Sequence, residues 1–536
     1  LLIYNGEIYN YRTLKDKYSF LPESINSDKE MLFLMLKHNL NDSDFLESFR
    51  GMWAFLYLNE AKKEVFCSRD RYGVKPLFYW KSNDIFIVAS EIKAILSYLK
   101  NNFSFNNDRV LNFLRDGFDY QIDDDSPSFF CGIRELNPGH NLLFNLNDWS
   151  LETFCWHNIS KAARKSINET QVSDAFRTSV INRIISDRPV GLFLSGGIDS
   201  SLILSVIASE NLSEKITCFI GETGKDLSED GKYARLCSSQ LGIKPIEIEL
   251  DYSKTAFDNI LRIGWNHEKP FPLVGNVIAM SQMYSAASKE GIKVILDGTG
   301  GDEICCGYWD RYLKFVLRDA LRTGNTEWLL ELISSGKEVE GLSRLISNSL
   351  KKAMSKDISL PCSLIEQNYF YDVIKKRKSL DPLQTFDGPL IEVLLLDIKK
   401  GRLPQWLIQN DRNSMSFGIE NRSPFLDSSL IPVIGLDYTK KIKGAHNKYI
   451  FRKMFSNFKE LPTQWRKQKQ GFRYSRIKLL SKNKKDILEL ISSSKLIKQS
   501  IKVDKFIDEA TNSNRIYESK LTANLLSVAI FENSFT

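Results

Sequence analysis

The chain has 536 residues, 43% hydrophobic and 26% charged, which describes an ordinary globular protein too long for a single core and sized for two to four domains. Its 73 Lys and Arg against 66 Asp and Glu give a net charge of +7, too small an excess for a nucleic-acid binder, and Lys and Arg crowd residues 440–485 as a solvated basic face. No apolar run approaches the roughly 18 to 20 residues of a membrane helix, and eight cysteines without C-x-x-C spacing argue against both a zinc cluster and a disulfide framework. A soluble protein of a reducing compartment, the cytoplasm, is expected, with neither nucleic acid nor membrane as a partner.

The sequence opens at Leu1-Leu2-Ile3, without a methionine and inside an apparent strand, so it reads as a fragment lacking its front. From there to about Cys155, short aromatic and β-branched runs at 53–58, 65–68, 77–80 and 85–89 predict antiparallel sheets, with covering helices at 28–37 and 91–99. Residues 157–170 turn polar and read as a linker. Val172, Phe176, Val180 and Ile184 then recur every four residues on one helical face. Beyond them strands at 190–194, 216–220, 246–250 and 293–296 alternate with helices at 201–208 and 232–240 and with a third helix carrying Phe257, Ile260, Leu261 and Gly264. That alternation predicts a parallel sheet covered on both faces, with ligands at the carboxyl ends of its strands. After Tyr308 the chain reads as helical, with no convincing strand series.

Two loops at such strand ends carry chemistry. Ser195-Gly196-Gly197-Ile198-Asp199-Ser200 joins a strand to a helix. Two glycines admit a close anion, and the unpaired N–H groups and positive end of the helix attract it. The loop lacks the Gly-Lys-Ser/Thr of a Walker motif and the three spaced glycines of a dinucleotide site. Asp297-Gly298-Thr299-Gly300-Gly301-Asp302-Glu303 follows a later strand and makes an acidic rim fit for a nucleotide and its magnesium. Further on stand Asp411-Arg412-Asn413-Ser414-Met415-Ser416, Glu420-Asn421-Arg422-Ser423-Pro424-Phe425-Leu426-Asp427, Lys448-Tyr449-Ile450-Phe451-Arg452 and Lys467-Gln468-Lys469-Gln470-Gly471-Phe472. Singly, each is a charged turn or an amphipathic helix.

The six-residue loop resembles the pyrophosphate loop of ATP pyrophosphatases, and the ordered series resembles the glutamine-dependent asparagine synthetases, the B-type amidotransferases. The N-terminal part is similar as well, in Tyr4-Asn5-Gly6-Glu7-Ile8-Tyr9-Asn10, Ser27-Asp28-Lys29-Glu30, Phe49-Arg50-Gly51-Met52-Trp53-Ala54-Phe55, Arg69-Asp70-Arg71-Tyr72-Gly73-Val74-Lys75-Pro76-Leu77 and Leu136-Asn137-Pro138-Gly139-His140. The resemblance implies three segments. Residues 1–155 would be an α+β glutaminase domain, an antiparallel β-sandwich of the N-terminal-nucleophile hydrolase type lacking its N-terminal part. Residues 156–172 would be a linker, and 173–536 an α/β ATP-pyrophosphatase domain with a helical C-terminal half.

The resemblance also implies a ligase that uses ATP and magnesium to amidate a small-molecule carboxylate through an acyl-adenylate. Leu194, Ser195, Gly196, Gly197, Asp199, Ser200, Asp297 and Gly298 would hold ATP and its pyrophosphate, with Asp199 and Asp302 near magnesium. Lys469 would neutralise charge in the transition states. Asn5 and Gly6 would supply oxyanion contacts, and Asn5, Gly6, Glu7 and Asp28 would bind glutamine. The family's nucleophilic cysteine should lie several dozen residues upstream of Leu1; Cys67 is internal and matches no nucleophile position. A homodimer is left open.

One departure concerns the acceptor. Many relatives place glutamate where this chain has Thr299, in a loop reading Ser-Gly-Glu-Gly-Ser-Asp-Glu, so Thr299 and Asp302 form an altered acceptor loop. Aspartate, giving asparagine, is the default acceptor; a sugar uronic acid, giving a uronamide for a surface polysaccharide, is the alternative. A third reading is an inactive, truncated binding or regulatory module. Adenylating enzymes that act on nucleotides or tRNA lack the series from Asp411 to Asp427.

Overall fold

The computed structural model describes residues 1–39, 43–100, 102–120, 127–223, 228–273, 275–354, 379–384, 386–467, 474–512 and 519–536. They form two compact units. The first comprises Leu1–Asn106, Gln121–Lys165 and Leu426–Ile431; the second comprises Asn107–Tyr120, Ser166–Phe425 and Pro432–Thr536.

In the first unit, strands β1 (Leu2–Ile8), β2 (Gly51–Asn59), β3 (Glu64–Arg69), β4 (Phe78–Lys81), β5 (Phe86–Ala89), β6 (Arg134–Glu135), β7 (His140–Asn145) and β8 (Leu151–Cys155) build two antiparallel sheets. Their orders are β1-β2-β3-β7-β8 and β5-β4-β6. Period-two alternation sorts the side chains of the larger sheet. Trp53, Phe55, Tyr57 and Phe66 point to one face, where Met31, Leu32, Met35 and Leu36 of the helix Asp28–Asn39 cover them. Ala54, Val65, Cys67, Leu142 and Phe144 point to the other, where they meet Leu77, Tyr79 and Leu136 from the smaller sheet. The unit is thus the expected α+β sandwich, and Cys67 lies fully buried inside it, its thiol raised by burial.

Arg69 and Asp70 hold the turn after β3. Asp70 Oδ1 accepts from the Tyr72 and Val74 N–H groups at 3.1 and 3.0 Å and Oδ2 from that of Lys75 at 3.0 Å. Arg69 donates to the Gly73 and Lys75 carbonyls at 2.9 and 2.8 Å. These buried charges satisfy backbone groups that the turn would otherwise strand away from water.

In the second unit, β9 (Val190–Phe193), β10 (Ile216–Glu222), β11 (Ile246–Glu249), β12 (Val294–Leu296) and β13 (Glu420–Arg422) form a wholly parallel sheet in the order β11-β10-β9-β12-β13. The chain leaves β9 towards β11 and returns to the other side of β9 as β12, so the order reverses between β9 and β12. The carboxyl end of that junction is where open α/β sheets bind ligands. β9 is buried throughout, as the four-residue apolar run requires.

β13 is one strand in the stretch beyond Tyr308, which the sequence reads as helical with no convincing strand series. Its residues are Glu, Asn and Arg, with no apolar alternation; they are extended because the β12 backbone pairs with them, Ile295 against Asn421. The helix Asn107–Asp116, inside the stretch read as glutaminase, lies in the second unit. There Asn524 Nδ2 donates to the Leu114 carbonyl at 3.0 Å. Among the described residues no helix is long and apolar enough to cross a membrane.

Candidate active site

The loop after β9 is built by one close contact. Leu194 N donates to the Phe219 carbonyl at 2.9 Å, extending the ladder by a residue, and the chain then turns at Gly196, whose φ is +69°. A Cβ there would sit 1.9 Å from the Asp230 carbonyl oxygen, so only glycine fits. Gly197 is the N-cap of the helix Ile198–Ser209, which starts with no side-chain cap. Its first N–H groups and positive end are therefore free for an anion. Ser195 is exposed, with its hydroxyl 3.1 Å from that of Ser200, and Ser195 N donates to Ser200 Oγ at 3.2 Å.

The loop after β12 packs on the first one. A Cβ at Gly298 would meet Asp199 Cβ at 2.5 Å, and one at Gly301 would meet Asp199 Oδ1 at 2.6 Å. The two glycine loops predicted at strand ends thus interlock at one edge of one sheet, around Asp199. That carboxylate is buried. Its Oδ2 accepts from Lys448 Nζ at 2.6 Å, and its Oδ1 has no hydrogen-bond partner among the described residues. Lys448 Nζ also lies 2.6 Å from Asp302 Oδ1. Burial pulls the Lys448 ammonium down, but Asp199 and Asp302 outweigh it and hold the proton more firmly than usual.

Arg466 closes the loop from its other side. Its Nη1 donates to the Gly196 carbonyl at 3.1 Å, its Nη2 pairs with Asp230 at 2.5 Å, and its guanidinium lies 4.3 Å from the Tyr233 ring centre. Arg452 braces both basic segments, donating from Nε to the Asn447 carbonyl at 2.7 Å and from Nη1 to those of Gln464 and Arg466 at 2.8 and 2.9 Å. Burial pushes Arg452 down to about 10. Beside the loop, a narrow cleft opens between Phe193, Phe219, Ile220, Gly221, Met280 and Met283, with Glu222 and Asp230 also on its wall. Apolar walls with a few polar groups suit a flat heterocycle.

Asp297 behaves differently from the other acids. Oδ1 accepts from Thr299 N at 3.1 Å and Ser423 Oγ at 2.6 Å; Oδ2 accepts from Thr299 Oγ1 at 2.7, Asn410 Nδ2 at 2.9 and Asn421 Nδ2 at 3.1 Å. Burial raises its carboxyl in spite of these bonds. Asn410 also donates to Thr299 Oγ1 at 2.8 Å, so the threonine hydroxyl is enclosed in the same network. Glu303, buried one residue beyond Asp302, is pushed up to about 8 by burial and by the Asp302 charge, and accepts from Tyr308 Oη at 2.9 Å.

Two carboxylates fit magnesium. Mg²⁺ usually takes one or two protein carboxylates and completes its shell with water and substrate phosphates; the described residues hold no cluster of three or more His, Cys, Asp or Glu, and Asp199 and Asp302 are the pair that would hold such an ion. The unpartnered Asp199 Oδ1 is the atom such an ion would engage.

In the first unit, Asn5, Gly6 and Glu7 lie on β1, paired with Ala54, Trp53 and Met52 of β2. The strands approach so closely that a Cβ on Gly6 would meet the Met52 carbonyl at 2.2 Å. Asp28 opens the covering helix and takes hydrogen bonds from Tyr4 Oη at 2.6 Å and Ile8 N at 2.9 Å on Oδ2 and from Lys29 N at 2.8 Å on Oδ1. Lys469 lies outside the described residues. Lys448 and Arg466 were given no individual role in the sequence, because a lysine before an amphipathic turn reads as solvated until its burial is known.

Fold and site define a protein with a glycine loop at the carboxyl edge of a parallel sheet, ahead of an uncapped helix N-terminus, and a second, antiparallel unit. The glutamine amidotransferase domain family matches residues 1–155 and the asparagine synthase family matches 171–534. The putative asparagine synthetase [glutamine-hydrolyzing] 2 of Methanocaldococcus jannaschii is 31% identical over 428 residues, 75% of each chain. Amidase chyE of Penicillium rubens is 26% identical, covering 84% of this chain and 73% of its own. The asparagine synthetase [glutamine-hydrolyzing] 1 of Bacillus subtilis is also 26% identical, covering 84% and 72%. The chain belongs to the asparagine synthase family, a carbon–nitrogen ligase of the glutamine-dependent amidating type.

Proposed function

We propose that the protein activates a small-molecule carboxylate with ATP as an acyl-adenylate and converts it to an amide with ammonia drawn from glutamine. The observation that carries this reading is the Lys448 ammonium set 2.6 Å from both Asp199 and Asp302 beside an uncapped helix N-terminus. In the first step the acceptor oxygen attacks the α phosphorus, and the bond to the bridging oxygen of the β phosphate breaks. The loop N–H groups of residues 195–200 take up the charge that moves onto pyrophosphate, and Lys448 and Arg466 hold that loop in place. Magnesium on Asp199 and Asp302 would neutralise phosphate charge. In the second step ammonia attacks the acyl carbon, the carbon–oxygen bond to AMP breaks with its electron pair leaving on phosphate, and the extra proton of nitrogen passes to solvent. Lys469, carried from the family resemblance, would stabilise both transition states.

The cleft between Phe193, Phe219 and Met283 suits adenine. In the first unit Asn5, Gly6, Glu7 and Asp28 would bind glutamine and its oxyanion. Aspartate is the default acceptor. A uronic acid is the second reading, favoured by the neutral, internally hydrogen-bonded Thr299 where a carboxylate stands in many relatives. The test is pyrophosphate and AMP release from ATP with ammonium and either aspartate or D-glucuronate. Release with aspartate supports the default; release only with glucuronate replaces it. No AMP with either, or AMP formation that survives Lys469→Ala, overturns the assignment.

A further inference from the structure

A second cavity, of about 360 Å³, lies in the second unit among Glu331, Ser335, Lys443, His446, Trp465 and Lys467, with Tyr449 on its wall. Its walls are the reverse sides of the segments that hold the pyrophosphate loop. Lys448, between His446 and Tyr449, reaches Asp199, whereas Arg466, between Trp465 and Lys467, reaches the Gly196 carbonyl. The nucleotide cleft uses none of these lining residues.

The groups that face this cavity are of three kinds. Trp465 is 47% exposed, an unusual amount for an indole, and stands 5.5 Å edge-on to His446 and 6.1 Å from the Tyr449 ring, which makes an aromatic platform. Lys443 is exposed; its ammonium lies 5.6 Å from the Tyr449 ring centre and has no carboxylate partner among the described residues, whereas Lys467 is paired with Glu338. Glu331 and the Ser335 hydroxyl offer acceptors, and His446 Nδ1 is shielded from solvent with no hydrogen-bond partner among the described residues. Burial, with Arg452 and Lys467, lowers the imidazole to about 4, so the ring on the cavity wall is neutral.

We infer that this cavity is a second small-molecule site, built for a hydroxylated ring that carries one anionic group. The ring would lie on Trp465, the anion would pair with Lys443, and the ring hydroxyls would bond to Glu331 and Ser335. Each element alone is commonplace on a surface. Their convergence in one concavity, with a cation that has no carboxylate partner among the described residues, is what a ligand site of this size contains. A saturated sugar acid and an aromatic hydroxy acid share this chemistry, and the Glu331 carboxylate, the Ser335 hydroxyl and the aromatic platform admit both.

Calorimetric titration of the whole chain with D-glucuronate, 4-hydroxybenzoate, glucose and acetate separates the contributions. At least one ring anion should bind at least tenfold more tightly than glucose, which lacks the anion, and acetate, which lacks the ring. Lys443→Ala and Trp465→Ala should each weaken that binding tenfold or more while ATP binding and the melting temperature stay in place. Preference for glucuronate identifies a sugar acid, and preference for hydroxybenzoate an aromatic one. Absence of heat with both ring anions at about 10 mM, beyond the range of useful affinity, overturns the inference. So does undiminished binding by both variants, which would put the ligand elsewhere. Because the readout is binding without turnover, it stands whether or not the amidation chemistry is as proposed.

Discussion

The two glycine loops at the carboxyl edge of the parallel sheet look alike in sequence and are finished in opposite ways. The loop after β9 is left partly open: Ser195 is exposed although it bonds to Ser200, the helix behind it has no side-chain cap, and Asp199 Oδ1 has no partner among the described residues. The loop after β12 closes on itself, with Asp297 holding Thr299, Asn410, Asn421 and Ser423. An unsatisfied buried group costs stability, so a chain retains one where a ligand will satisfy it. On the proposed function, openness suits the first loop to hold phosphate, and closure suits Asp297 to brace the loop beside it.

The largest effect should come from Lys448→Met, which leaves Asp199 and Asp302 facing each other without their shared cation. Removing one partner from a buried ion pair costs about 3–5 kcal/mol, and pyrophosphate release should fall at least a hundredfold, by about 3 kcal/mol of transition-state stabilisation. Thermal unfolding and a pyrophosphate assay read both. A variant as stable and as active as the parent would show that the ammonium is incidental to the open loop.

Gly196→Ala comes next. It places a side chain at φ +69° and 1.9 Å from a backbone oxygen that cannot rotate away. Strain and overpacking together should cost about 2–4 kcal/mol and displace the loop, so that ATP affinity falls with stability. Full ATP affinity at reduced stability would mean that phosphate does not contact this loop.

Asp297→Asn tests the closed loop. The amide presents an N–H₂ to a ring of donors, and about 1–3 kcal/mol of stability should be lost. If Asp297 is a brace, ATP affinity measured by titration stays unchanged. A tenfold loss would restore it to the phosphate contacts that the resemblance implies, and the contrast between the loops would fail.

Ser195 to Ser200 was legible in sequence because its glycines mark a tight strand-to-helix turn, which Gly196 makes at positive φ. The sandwich was legible for a similar reason, since alternation in Val65, Phe66 and Cys67 is fixed by which face each side chain meets. β13 was not, because Glu420, Asn421 and Arg422 carry no pattern of their own and take their conformation from β12. Lys448 was hidden for a different reason. Its burial depends on two acids that arrive from distant loops, Asp199 and Asp302, and no spacing along the chain encodes that meeting.

The smallest expected effect extends the comparison to the second cavity, where His446 is another unsatisfied group. Its imidazole is lowered from 6.5 to about 4, first by burial and then by Arg452 and Lys467. A base whose folded value lies below its unfolded one binds fewer protons when folded, so between pH 6.5 and 4 the unfolded chain gains a proton that the native chain does not. Its contribution to stability is therefore complete above about pH 6.5 and is lost as the pH falls towards 4. The ring is only partly enclosed, so the loss is modest, well short of a full buried-charge penalty. His446→Gln, which keeps a polar group in place without a titrating one, should flatten this part of the profile, narrowing the difference in melting temperature between pH 7 and pH 5. An unchanged difference would mean that water or a bound anion already satisfies Nδ1, and that the cavity is not open in the sense that the pyrophosphate loop is.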